Sequence, residues 1–179
     1  AQKKQVFANA SGWVLEAGSA LSGNDNTDAD PEVLVAIGDL STSIGAADIT
    51  EVEMVTTTAD KSEGFTISVR VRYNEPVDVV TTGGTPTLAV TNGNEGTGTG
   101  RGPHTLSYAS GTGTNELIFS LAIAAANAAT NADDVLSVGA QTIALNSGTI
   151  KDASGTASDA ALVISGALGT AAGTVTVTA

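Results

Sequence analysis

The chain has 179 residues, enough for one well-packed domain with an extension or for two small ones. Seven basic residues against 19 acidic ones leave a formal charge of −12, a surface that repels phosphate backbones and speaks against a nucleic-acid partner. Cysteine is absent, which excludes disulfides, thiolate nucleophiles and thiolate zinc sites, and no apolar run approaches the roughly 20 residues of a membrane-crossing helix, so no membrane partner is expected.

The amino end, AQKKQVFANASGWVLEAGSALSG, carries Lys3 and Lys4 with no apolar h-region behind them. It is read as a start that follows a removed initiator methionine, in a protein synthesised in the host cytoplasm. Phe7, Trp13 and Val14 stand out in this small-residue stretch. An aromatic in a segment too short to fold alone buries itself against its own domain or against a partner. NDNTDADPE (24–32) is an acidic, turn-rich loop, and VLVAIGDL (33–40) is an apolar run of strand length. STSIGAADIT (41–50) is a polar connection.

From Glu51 the alternation becomes regular. EVEMV reads as a strand whose period is broken at Val55. In TISVRVRY, Ile67, Val69, Val71 and Tyr73 share one face, and Arg70 and Arg72 fall on the other, which is expected to be solvated. Asn74-Glu75-Pro76 is expected to end the pairing, because proline removes a ladder donor. TPTLAV places Leu88 and Val90 inward. TNGNEGTGTGRGP (91–103) reads as a glycine-rich excursion, HTLSYA as a strand with Leu106 and Tyr108 inward, and SGTGTN as a turn. ELIFSLAI puts Leu117, Phe119, Leu121 and Ile123 on one face. AAANAATNADD (124–134) reads as a helical turn or a loop, and DVLSV, QTIALN, ALVISGAL and TVTVT as short strands. The fold class is all-β.

Residues that carry chemistry do not converge. His104, the single histidine, is read as a strand-edge residue, and no serine lies in a GxSxG elbow. Asp25, Asp28 and Asp30 resemble a calcium loop in composition, but the order and the glycine of an EF-hand are missing. A loose oxygen-ligated site stands there as an alternative to a plain acidic turn. Asp133 and Asp134 would point to opposite faces if extended and make a poor acid/base pair. The glycines around 93–102 follow no strand-to-helix phosphate-loop pattern. No catalytic residue, metal or cofactor is read from this chain, and no enzymatic activity is expected.

The order of VRVRYNEPVDV, GGTPTLAV, the run from Tyr108 to Phe119 and GTIKDASGTAS resembles a bacterial immunoglobulin-like, cadherin-like repeat family of large surface adhesins, over roughly residues 48–168. The resemblance implies a seven-stranded β-sandwich without enzymatic activity and names no ligand. The chain holds one such unit behind a lead of 50 residues outside the family. That arrangement, with GWVLEAG and VLVAIGDL, looks like virion proteins of tailed phages.

The expectation is therefore an attachment segment, β-rich, at 1–50 and an immunoglobulin-like β-sandwich at 51–179. The function expected is capsid decoration (cement) on the virion surface, with the major capsid protein as partner, a homo-oligomer such as a trimer, and Lys3, Lys4, Phe7, Trp13 and Val14 as contact residues. The alternative is an adhesin or carbohydrate-binding module of a phage tail or bacterial surface protein. Tyr73, Tyr108 and Phe119, read as inward, leave little for a sugar platform.

Overall fold

The computed structural model describes residues 5–93, 103–153 and 157–179, with the side chains at positions 42 and 43 outside that description. The first part holds β1 (Val6–Asn9), β2 (Gly12–Leu15), β3 (Glu32–Ala36) and a one-turn helix, α1 (Leu40–Ser43). Next come β4 (Ile49–Met54), β5 (Ala59–Asp60), β6 (Phe65–Val80), β7 (Thr87–Gly93), β8 (His104–Ser110) and β9 (Thr114–Ile123). The last part holds β10 (Val135–Ser137), β11 (Gln141–Thr142), β12 (Thr149–Asp152), β13 (Val163–Ile164), α2 (Gly166–Ala171) and β14 (Thr174–Thr178). Strand accounts for 49% of the described residues and helix for 6%, so the fold is all-β, as its composition and alternation lead one to expect.

β6 organises the main sheet. Its residues 69–72 pair with β4 along one edge and with β9 along the other. After a register shift between Arg72 and Val77 the strand continues, and Val77–Val80 pair with β12 on the β4 side. Pro76 therefore does not end the strand, contrary to expectation. It falls where the β9 ladder lapses, so its missing N–H breaks no bond, and its carbonyl accepts from the Ala153 N–H at 3.0 Å. The sheet runs on from β9 through β8, β7, β10 and β14 to the short β5. It curls back on itself: beyond α2, the Ala172 carbonyl accepts from the Met54 N–H of β4 at 2.8 Å.

The enclosed core follows the alternation. Ile67, Val69, Val71 and Tyr73 of β6 are wholly buried with Leu117 and Phe119 of β9 and Leu88, Val90 and Leu106 from β7 and β8. Tyr108 meets Phe119 edge to face, with ring centroids 6.1 Å apart. The Tyr73 hydroxyl donates to the Ala161 carbonyl at 3.1 Å, and burial raises its pKa well above that of a free phenol. In ALVISGAL only Val163 and Ile164 form a strand. Ser165 then caps α2, its Oγ accepting from the Leu168 N–H at 3.2 Å, so a helix replaces the expected strand end.

Glu75 is buried at the irregular part of β6, and no hydrogen-bond donor reaches either carboxylate oxygen. Its neighbours are Asp152, itself buried at the end of β12, and Asp48. Burial first, then the charge of Asp152 and the hydrogen bond a protonated pair would make with it, push its pKa from 4.5 up to about 7. The folded chain therefore holds a proton that the unfolded chain has already lost over this window. The protonated Glu75 supports the fold at low pH, and that support disappears as pH rises through about 7. Denaturant midpoints should fall between about pH 5 and pH 8, by on the order of 2 kcal/mol in this contribution. The variant Glu75→Gln should flatten that slope, and an unchanged slope would contradict the assignment.

A candidate docking surface on the N-terminal sheet

β1, β2 and β3 form a separate antiparallel sheet. The β1–β2 turn is closed by Asn9, whose Oδ1 accepts the Ser11 N–H at 2.8 Å. Gly12 follows at φ +131°, and a Cβ there would lie 2.0 Å from the Val35 carbonyl oxygen and 2.6 Å from the Ile37 nitrogen. Only glycine permits this approach of β2 to β3. Trp13 pairs with Ala8 and Val35, while Val14 pairs with Phe7 and Val33.

Ala8, Val14 and Leu15 are buried, with Leu40 of α1, and they stand apart from the main core. Phe7 and Trp13 are half-buried. Of the residues expected to make contacts, Val14 has no exposed surface and supports the sheet from within. Phe7 and Trp13 keep part of their surface, and Lys3 and Lys4 lie outside the described residues.

The N-terminal sheet is tied to the main sheet by an ionic joint. β1 lies against β6. Arg72, expected on a solvated face, is only 5% exposed because the N-terminal segment covers it. Its Nε donates to Glu116 Oε1 at 2.7 Å, Nη2 reaches Glu16 Oε1 at 3.1 Å, and Nη1 reaches Glu51 Oε2 at 3.3 Å. Arg70 pairs with Glu53 and, at 3.5 Å, with Glu116 Oε2. Four carboxylates thus surround two guanidinium groups. Burial, with Glu116 and Glu51 nearby, outweighs Arg72 and raises the pKa of Glu16. Gln5, Gly18 and Thr27 join these charged groups in lining an open cleft above β4 and β6.

β3 is the exposed part of this sheet. All five of its residues are exposed, and Val33, Leu34, Val35 and the following Ile37 are 47%, 49%, 50% and 44% accessible. Its outer edge has no strand partner among the described residues. Two edges of the main sheet are guarded: β5 has two residues, and β12 carries Lys151, which meets Asp159 at 3.2 Å. Pro31 and Glu32 guard only the beginning of β3. In the sequence the apolar strand is flanked by Asp25, Asp28, Asp30 and Glu32 before it and by Asp39 after it, and residues 5–60 contain no lysine or arginine. In the acidic loop the Asn26 N–H donates to Asn24 Oδ1 at 3.1 Å and the Asp28 N–H to Asn26 Oδ1 at 3.0 Å, so these side chains make successive turns. Among the described residues no group of three or more His, Asp or Glu can hold a metal ion.

The histidine lies elsewhere. His104 opens β8 and is buried, with Nε2 3.2 Å from Thr130 Oγ1. Asn92 donates to the Ala129 carbonyl at 2.8 Å and Asp134 accepts the Asn131 N–H at 2.6 Å, so this polar group pins the 124–134 loop to the sheet. Asp133 sits in a turn at φ +69° rather than in an extended pair with Asp134. The glycine-rich positions 94–102 lie outside the described residues.

Comparison with protein-family models, curated proteins and solved structures returned no match. The surface is therefore read from its own geometry.

Gly12→Ala should force β2 and β3 apart. Hydrogen exchange should accelerate at β3 amides while β6 and β9 keep their protection; equal protection of β3 in both proteins would refute the close approach. Arg72→Gln leaves Glu16, Glu51 and Glu116 clustered without their shared cation, and should cost about 3–5 kcal/mol. Limited proteolysis should then cut first within residues 5–45, and cleavage starting in the main sheet would contradict the joint.

Proposed function

We propose that this protein is a structural component of a virion, a capsid decoration (cement) protein that attaches to the major capsid protein through its N-terminal sheet and displays an immunoglobulin-like sandwich. The observation that carries this reading is β3: an uncovered apolar strand on a segment separate from the main core. Val33 and Val35 on one face of the strand and Leu34 on the other, all about half exposed, leave an apolar strand uncovered on both sides, which marks a contact surface. The likeness of the lead segment, through GWVLEAG and VLVAIGDL, to phage head proteins and the single copy of the sandwich unit support the virion setting over an adhesin.

The reading requires no catalytic step. Binding that favours the assembled shell over free subunits stabilises the shell by mass action. A trimer suits the local three-fold positions of a capsid lattice. A glycan-binding role draws no support from the sandwich aromatics, since Tyr73 and Phe119 are wholly buried and Tyr108 is packed against Phe119.

Deleting residues 1–20 would also strip Glu16 from Arg72, so substitutions at exposed positions give a cleaner test. The double variant Val33→Glu/Val35→Glu should keep its circular dichroism and melting temperature. It should fail to co-sediment with purified undecorated shells that the native chain coats. Coating by the variant at native stoichiometry would overturn the attachment reading.

A further inference from the structure

The outer edge of β3 offers more than apolar side chains. A terminal strand presents unpaired backbone N–H and C=O groups, and natural sheets usually block such an edge with a central charge, a proline or extreme shortness. β3 has five residues, none of them proline, and its only charge is Glu32 at the start. Both faces of the strand are open, because all five residues are exposed. A strand added there would place alternate side chains above and below Val33, Leu34 and Val35.

Charge decides between two occupants. A second copy of this chain would bring the carboxylates at the two ends of the strand, Asp30 and Glu32 before it and Asp39 after it, toward their counterparts. Residues 1–60 supply only Lys3 and Lys4 against ten carboxylates, so most of that repulsion stands. A strand with basic flanks would instead meet an acidic border on both sides of an apolar centre.

We infer that β3 accepts, by edge-to-edge addition, an extended segment of a different polypeptide that is apolar in its middle and basic at its flanks. The inference rests on the attachment reading above and specifies how that attachment is made. Main-chain hydrogen bonds supply the affinity, alternating apolar side chains set the register, and the carboxylate border selects the partner's charge.

The full-length chain can be titrated with a labelled synthetic peptide of alternating valine and threonine between paired lysines, read by fluorescence anisotropy. Two counterparts accompany it, one with glutamates replacing the lysines and one N-methylated at alternate backbone amides. At low salt the lysine peptide should bind at least about tenfold more tightly than the glutamate peptide, with the gap narrowing as salt rises. The methylated peptide should not bind, and β3 amides should gain hydrogen-exchange protection only with the unmethylated lysine peptide. Equal binding by the methylated peptide, equal binding by the glutamate peptide, or failure of the lysine peptide to bind would each overturn strand addition. So would sedimentation velocity showing a dimer with protected β3 amides in the absence of peptide.

Failure of this inference and failure of the attachment reading are distinguishable. If the peptides do not bind but Val33→Glu/Val35→Glu still abolishes shell coating, attachment stands and its strand mode falls. If the lysine peptide binds as described and the variant coats shells normally, the strand site stands and the attachment reading falls.

Discussion

The guanidinium of Arg72 is the interaction on which the arrangement of the two sheets depends. It projects from the middle of β6, the strand that β4, β9 and β12 all join, and it holds Glu16 from the end of the N-terminal hairpin together with Glu51 and Glu116. The small apolar group of Ala8, Val14, Leu15 and Leu40 does not merge with the main core. What joins the parts is largely polar. An arginine is suited to this position because its planar fork serves several carboxylates at once, whereas a lysine would present a single point of charge.

A polar joint has a different character from a continuous core. Its direction is set by hydrogen-bond geometry, so the N-terminal sheet is held at a defined place over β6 while remaining a distinct layer. That separation explains why β3 stays uncovered. The sheet is oriented by Glu16 on one side, and its far strand has no strand partner among the described residues. An apolar strand left in that position satisfies neither the main core nor the solvent.

Much of the main sheet was legible in the residues. The alternation of Ile67, Val69, Val71 and Tyr73, and of Leu117 and Phe119, announces one buried face, and the burial follows it. The opposite face was not legible. Polar residues at alternate positions look the same whether water or another segment lies over them, and Arg72 is covered by one. Pro76 misled for a related reason: a missing donor ends a strand only where the neighbouring strand requires that donor. In the lead segment, the aromatic residues Phe7 and Trp13 fall on β1 and β2 and are half-buried. The larger exposed surface belongs to Val33, Leu34, Val35 and Ile37, since a continuous aliphatic run ordinarily denotes a strand covered on both faces. The acidic residues bordering that run were the available clue.

The position of Arg72 also orders events in time. β6 pairs with β9 at Phe65–Ile123 and with β12 at Val80–Thr149, contacts between residues far apart in the chain, and pairings of this kind form slowly. The hairpin of β1 and β2 is local and short, and such a hairpin is marginal in isolation. It gains its anchor only after β6 lies between β4 and β9 with Arg72 held at the crossing. The place of the chain's first segment thus depends on the larger sheet, while the reverse dependence is weaker. β3 is held in place only on molecules whose larger sheet is built, and a misfolded copy lacks the platform that carries it.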